Sequence, residues 1–219
     1  MLVSHRHHFI YTKTIKTGGT SVESYFEPYC MAEGEWSLSH GREETVSASG
    51  IIGQRSSVGA DVRWWNHMPA QLIREQLSEE IWSRYFKFCV VRNPFEKVLS
   101  FFFHHRRRQP RSAFVGETVI EQFNHWVLTA SLPSDRDTYT IDGRVVMDFV
   151  MRHESLTADL QQVCTQLDLP WQPERLPTFK AGIRPPDATV QAFYGVAARQ
   201  VVAQAFAFEF EAFSYPCTP

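Results

Sequence analysis

Phe9-Ile-Tyr-Thr-Lys-Thr-Ile-Lys-Thr-Gly-Gly-Thr-Ser-Val-Glu-Ser-Tyr-Phe26 passes from an aromatic, β-branched run through a lysine and two glycines into a helix-like segment. Phe9–Thr14 reads as a strand, and Val22–Phe26 as the start of a helix. Such a unit places its loop at the carboxyl edge of an open α/β sheet, where ligands bind. The connecting stretch Lys16-Thr-Gly-Gly-Thr-Ser21 suits an anion. Gly18 and Gly19 let the backbone come close and turn its amides inward. The helix adds its positive dipole end, Lys16 a full charge, and Thr17, Thr20 and Ser21 hydroxyl donors. It is not a GxxxxGK[ST] loop, because the lysine precedes the glycines. The same residues also allow an ordinary turn, with Thr20 and Glu23 forming a capping box.

Phe86-Lys-Phe-Cys-Val-Val-Arg92 is the second strong strand, apolar enough to be buried on both faces of a parallel sheet. Asn93-Pro94 supplies a cap and a first-turn proline for a helix running to about Arg108. Arg92 then stands at a strand end, with Ser100 about 9 Å along the helix. An arginine fork and a hydroxyl farther on can grip a phosphate. Alternatively, Arg92 pairs with a carboxylate and Asn93 only caps. Glu33–Val62 reads mostly as loop, and a helix is expected from Pro69 with Leu72, Ile73 and Leu77 as its apolar stripe. Leu156, Leu160, Val163 and Leu167 form one helical face, and Val190, Tyr194, Ala197, Val201, Ala205 and Phe208 another. Strands alternating with helices predict an α/β sheet covered on both sides.

The 219 residues fit one domain, 1–219. With 43% hydrophobic residues, the chain can form a core without disulfides or metals. Lys plus Arg 22 against Asp plus Glu 24, a net charge of -2, excludes nucleic-acid binding by bulk charge. No apolar run reaches the roughly 18 residues of a membrane span, and the first residues lack a signal-peptide h-region. Cys30, Cys89, Cys164 and Cys217 lie far apart, as reduced thiols of a cytoplasmic protein do. His5, His7 and His8 have no cysteine or carboxylate spaced to complete a metal site, so no metal is expected.

Together, the two strand–helix segments resemble the sulfotransferases that use 3′-phosphoadenosine-5′-phosphosulfate (PAPS). In that family PKTGGTS holds the 5′-phosphosulfate and RNP…S the 3′-phosphate. The resemblance implies Lys16, Thr17, Gly18, Gly19, Thr20 and Ser21 at the first site, and Arg92 and Ser100 at the second. It extends to bacterial relatives of the carbohydrate (family 2 type) sulfotransferases. The stretches that carry it are Gly50-Ile-Ile-Gly53, Trp65-Asn-His-Met-Pro-Ala70, Phe149-Val-Met-Arg-His-Glu-Ser-Leu156 with Asp159, and Leu176-Pro-Thr-Phe-Lys-Ala-Gly-Ile-Arg184. The implied fold is a P-loop-like central parallel sheet flanked by helices. The implied acceptor is a hydroxyl compound of the glycan class, and Lys180 is a further nucleotide contact. Two positions depart from the family: Ile15 replaces a proline, which suggests a looser loop, and Ala181 replaces a hydroxyl residue.

Sulfuryl transfer needs in-line positioning, charge stabilisation on the leaving side and a base. Lys16 and the Gly18–Gly19 amides suit the charge. His67 is the expected base, placed just before the Pro69 helix, whose dipole would keep the ring neutral. A histidine bonded only to nearby backbone is the plainer alternative, and Glu43, Glu44 and Asp61 are other candidate bases. The basic run His104–Arg111 reads as a solvated helix end or as a rim for an anionic acceptor. Trp64 and Trp65 read as core or as a sugar-stacking pair. A kinase with an atypical phosphate loop and a non-catalytic nucleotide- or glycan-binding relative are the competing functions.

Overall fold

The computed structural model describes residues 1–55, 61–179 and 182–218. Along the chain run β1 (Leu2–Ser4), β2 (Phe9–Tyr11), α1 (Gly19–Phe26), β3 (Thr45–Val46), β4 (Gly50–Ile52), α2 (Ala70–Gln76), α3 (Glu79–Arg84) and β5 (Phe86–Val91). Then follow α4 (Pro94–Arg106), α5 (Val119–Thr129), β6 (Thr140–Ile141), β7 (Arg144–Val145), β8 (Phe149–Arg152) and α6 (Leu156–Gln166). The chain ends with α7 (Val190–Phe193), α8 (Val196–Ala205) and α9 (Ala207–Ala212). These elements form two compact units: Met1–Val91 with Asp135–Phe179, and Arg92–Ser134 with Lys180–Pro219.

The first unit is built on a sheet of order β3-β4-β1-β2-β5-β8. Strands β2, β5 and β8 are mutually parallel, while β1, β3 and β4 extend the sheet antiparallel. The parallel part is the α/β core expected from the sequence. Period-two alternation explains how both faces are covered. Phe9 and Tyr11 of β2 and Phe88 and Val90 of β5 pack with Val22, Tyr25 and Phe26 of α1 and Leu160 and Val163 of α6. Ile10 points the other way, with Val3, Ile51, Trp64, Ile73 and Trp82, under α2 and α3. Trp64 is therefore core, at 3% exposure, and Trp65 packs partly buried beside it.

Two expectations for this unit change. The Glu33–Val62 stretch is not all loop, since it supplies β3 and β4, whose two and three residues are too short to signal themselves. Helix α2 begins at Ala70, with Pro69 as its cap.

The second unit is helical. Phe95, Val98, Leu99, Phe102 and Phe103 of α4 are buried. Phe102 and Phe123 meet at 5.2 Å, and Phe95 and Phe210 also at 5.2 Å. The expected single face from Val190 to Phe208 is broken. Asn124 of α5 donates to the Phe193 carbonyl at 2.7 Å and accepts the Gly195 N–H at 2.7 Å, ending α7 before α8 begins. The period restarts one position later, so Ala198, Val202, Phe206 and Phe210 are buried while Ala197 is exposed. A long-range amide clamp of this kind leaves no periodic mark in the sequence.

Candidate active site

Within the first unit, the loop after β2 is held from below. The Thr12 N–H continues the parallel ladder onto Phe88 O at 3.0 Å, and the Thr14 hydroxyl bonds the Val90 carbonyl. Thr17 is fully buried, with its hydroxyl 2.8 Å from that of Thr14. Its side chain thus fastens the loop from the interior. Ile15, where a looser loop was expected, is tied instead: its N–H donates to the carboxylate of Asp135 at 2.5 Å. Asp135 is 2% exposed, and nothing in the sequence marked it as a partner of the loop.

The turn itself uses left-handed backbone at Lys16 (φ 60°) and Gly18 (φ 76°). Gly18 caps α1 with its carbonyl, which accepts from Ser21 N at 2.9 Å. No side chain caps this helix. The Thr20–Glu23 capping box is not formed, because Glu23 turns into the interior. There its carboxylate meets Lys13 Nζ at 2.6 Å, the Met1 amine at 2.7 Å and Arg55 at 3.2 Å. Burial pushes the Glu23 carboxyl up, but these cations outweigh it and hold it at about 2. The N–H groups of Ser21 and Val22 bond the Gly18 carbonyl, and those of Gly19 and Thr20 ahead of them open the helix without a side-chain cap. Lys16 and Thr20 are half-buried at the turn, and Gly18 is exposed. Ser21 accepts the Phe179 N–H at 3.5 Å, and a Cβ on Gly18 would lie 3.6 Å from Leu156 and 3.7 Å from His153.

His67 belongs to the same place, although it lies far along the chain. The segment before it is pinned by a bridge between Gln54 and Trp65 and by Asn66 N donating to Gln54 O at 2.9 Å. A left-handed φ of 56° at His67 then turns its ring towards the loop entry. Nδ1 lies 3.0 Å from the Lys13 carbonyl. A carbonyl only accepts, so Nδ1 carries the hydrogen and Nε2 keeps the lone pair. The ring pKa falls from 6.5 to about 4, first through burial, then through the charges of Lys13 and the Met1 amine. The neutral state expected of His67 thus has burial and these two cations among its causes. Of the other candidate bases, Glu44 is engaged by the N–H groups of Arg63 and Trp64, while Glu43 and Asp61 are exposed.

In the second unit, Asn93 caps α4 by accepting from Phe95 N and Glu96 N, with Pro94 in the first turn. Glu96 and Ser100 lie four apart on α4, and Arg92 stands just before its cap. Arg92 meets Glu96 at 3.1 Å, so the carboxylate pairing considered for it is present. Arg184 grips the same carboxylate through both terminal nitrogens. Burial alone would raise the Glu96 pKa, but the Arg184 bonds and both arginine charges hold it below the ordinary carboxylate value. Two arginines thus converge on one carboxylate, four residues before Ser100. Arg184 was read only as part of a recurring stretch, not as a site residue. Lys180, expected as a nucleotide contact, lies outside the described residues.

A model of the sulfotransferase family matches residues 1–216. The chain belongs to the sulfotransferase family. An uncharacterized protein of Archaeoglobus fulgidus is also similar, 27% identical over 104 residues, which are 47% of this chain and 84% of that protein. The family match runs through both units and includes each segment on which the resemblance was drawn. Among the described residues, no group of three or more His, Cys, Asp or Glu side chains is placed to hold a metal ion. None of the described helices is long and apolar enough to cross a membrane.

The basic run of this sulfotransferase divides. His104, His105 and Arg106 close the last turn of α4, Arg106 donates to Gln122 at 3.1 Å, and Arg107, Arg108 and Arg111 are exposed.

Proposed function

We propose that this sulfotransferase moves the sulfuryl group of PAPS to a hydroxyl oxygen of a carbohydrate acceptor. We also propose that residues 1–219 work as one sulfotransferase domain. The observation that carries the reading is the pairing of a glycine anion loop with a neutral histidine hung on the loop's own entry strand. Gly18, Gly19, Thr20 and Ser21 open α1 with amides and hydroxyls suited to the 5′-phosphosulfate, and Lys16 adds charge. Arg92 and Ser100, with Lys180, take the 3′-phosphate, and Arg184 joins Arg92 on Glu96.

His67 Nε2 takes the proton of the attacking hydroxyl. As the oxygen–sulfur bond forms, the bond from sulfur to the bridging phosphate oxygen breaks. Lys16 and the loop amides carry the charge that develops on the departing bisphosphate. The transferred group bears less charge than a phosphoryl group, and Lys16 supplies the cation, so the reaction is proposed to need no metal. Cys30, Cys89 and Cys164 are buried and Cys217 is exposed, all outside disulfides, which supports a cytoplasmic address.

Sulfate transfer from labelled donor to a panel of glycans, lipids and small hydroxylated metabolites tests this reading. A glycan product that disappears with His67→Asn is expected. Turnover of only non-carbohydrate hydroxyls would overturn the acceptor class, and full activity in His67→Asn would overturn the base.

A further inference from the structure

Lys13, a strand residue by its sequence, reaches three parts of the candidate centre in the first unit: Glu23 of α1, the His67 ring and the loop at Gly19. Its side chain is 4% exposed. The ammonium sits on Glu23 of α1 at 2.6 Å, and the backbone carbonyl fixes His67 at 3.0 Å. The stem runs directly under the loop: a Cβ added to Gly19 would fall 2.8 Å from Lys13 Cγ and 3.2 Å from Cε. Gly19 is therefore glycine because a lysine passes beneath it, a different reason from the freedom of its backbone.

We infer that Lys13, anchored by Glu23, is the positioning residue that sets the orientation of His67 and the seat of the anion loop together. The inference rests on the sulfuryl-transfer reading for the role of His67, but not for its own geometry. One residue couples the two, so a shift of the Lys13 backbone would move base and loop in the same step.

The charges bearing on the His67 ring are Lys13 and the Met1 amine, which oppose its protonation, and Glu23, which favours it. Glu23 is shared by three cations, and Arg55 also bonds Glu27, which takes Arg42 at 2.9 Å. The group as a whole is thus rich in positive charge, on the buried side of an anion loop. A neutral residue at position 13 keeps the carbonyl but removes both the charge and the ion pair that anchors the residue to Glu23, so its effect on the ring reports that anchor.

The test is an NMR titration of His67 in the full chain, without donor or acceptor. In the wild type the ring should carry its hydrogen on Nδ1 and titrate near pH 4. In Lys13→Met the titration should move up by about one pH unit, and Lys13→Arg should return it towards the wild-type value. Lys13→Gln, which keeps the stem and a donor for Glu23, takes the place of Lys13→Met should that variant not fold. Once an acceptor is in hand, the acid limb of kcat/KM should move in the same direction, which a merely structural lysine would not cause. A wild-type ring protonated on Nε2, or an unchanged titration in the folded neutral variant, overturns the inference. Because no turnover is involved, either result is distinct from failure of the proposed reaction.

Discussion

Replacing His67 by Asn tests the buried neutral ring through stability alone. Asn tolerates the left-handed backbone at this position, and its amide can still donate to the Lys13 carbonyl. The folded ring titrates at about 4 against an ordinary 6.5. A depressed folded value means that the stabilising contribution is complete above pH 6.5 and is lost as pH falls towards 4. Between pH 7.5 and 4.5 the wild type should lose about 2.5 kcal/mol on this account, or about 2 kcal/mol after allowing for partial exposure. Carboxylates that titrate in the same range are common to both proteins and cancel in the comparison. Urea unfolding at the two pH values reads the difference directly. The His67→Asn protein should show a pH dependence shallower than wild type by about 2 kcal/mol. If the two proteins lose stability in parallel, the ring is not held neutral and the argument for its role as base fails.

Three further outcomes follow from the same geometry. Gly19→Ala places a methyl group against the Lys13 stem, and should cost about 1–3 kcal/mol by overpacking, measured by thermal unfolding. Arg184→Ala should weaken binding of adenosine 3′,5′-bisphosphate about tenfold with little change in melting temperature. Its arginine is half-buried, and Glu96 keeps Arg92 as a partner. Sulfate transfer should proceed unchanged after EDTA treatment, and a loss restored by added magnesium would contradict the metal-free reading.

Much of this molecule is legible in its sequence, for identifiable reasons. Strand β5 and helix α4 declare themselves because an apolar run, an Asn cap and a proline act within a few residues of one another. The turn into α1, proposed to take the anion, is legible as a turn because two glycines stand between a strand and a helix. What stays hidden is set by residues distant in sequence. Asp135 satisfies the N–H that Ile15 brings where relatives have proline, and Asn124 splits a helical face that periodicity alone would extend. Glu23 looks like a capping residue until Lys13 and Arg55 arrive to bury it. His67 could be chosen as base from its neighbourhood, but the cause of its neutrality, burial beside Lys13, belongs to the folded chain.

The most direct test of the whole account is calorimetry with adenosine 3′,5′-bisphosphate in the presence of EDTA, for wild type, Lys16→Ala and Arg92→Ala. The account predicts one site in the wild type, at least about tenfold weaker in each variant. Absence of binding without magnesium, or two variants that bind as the wild type does, would contradict it.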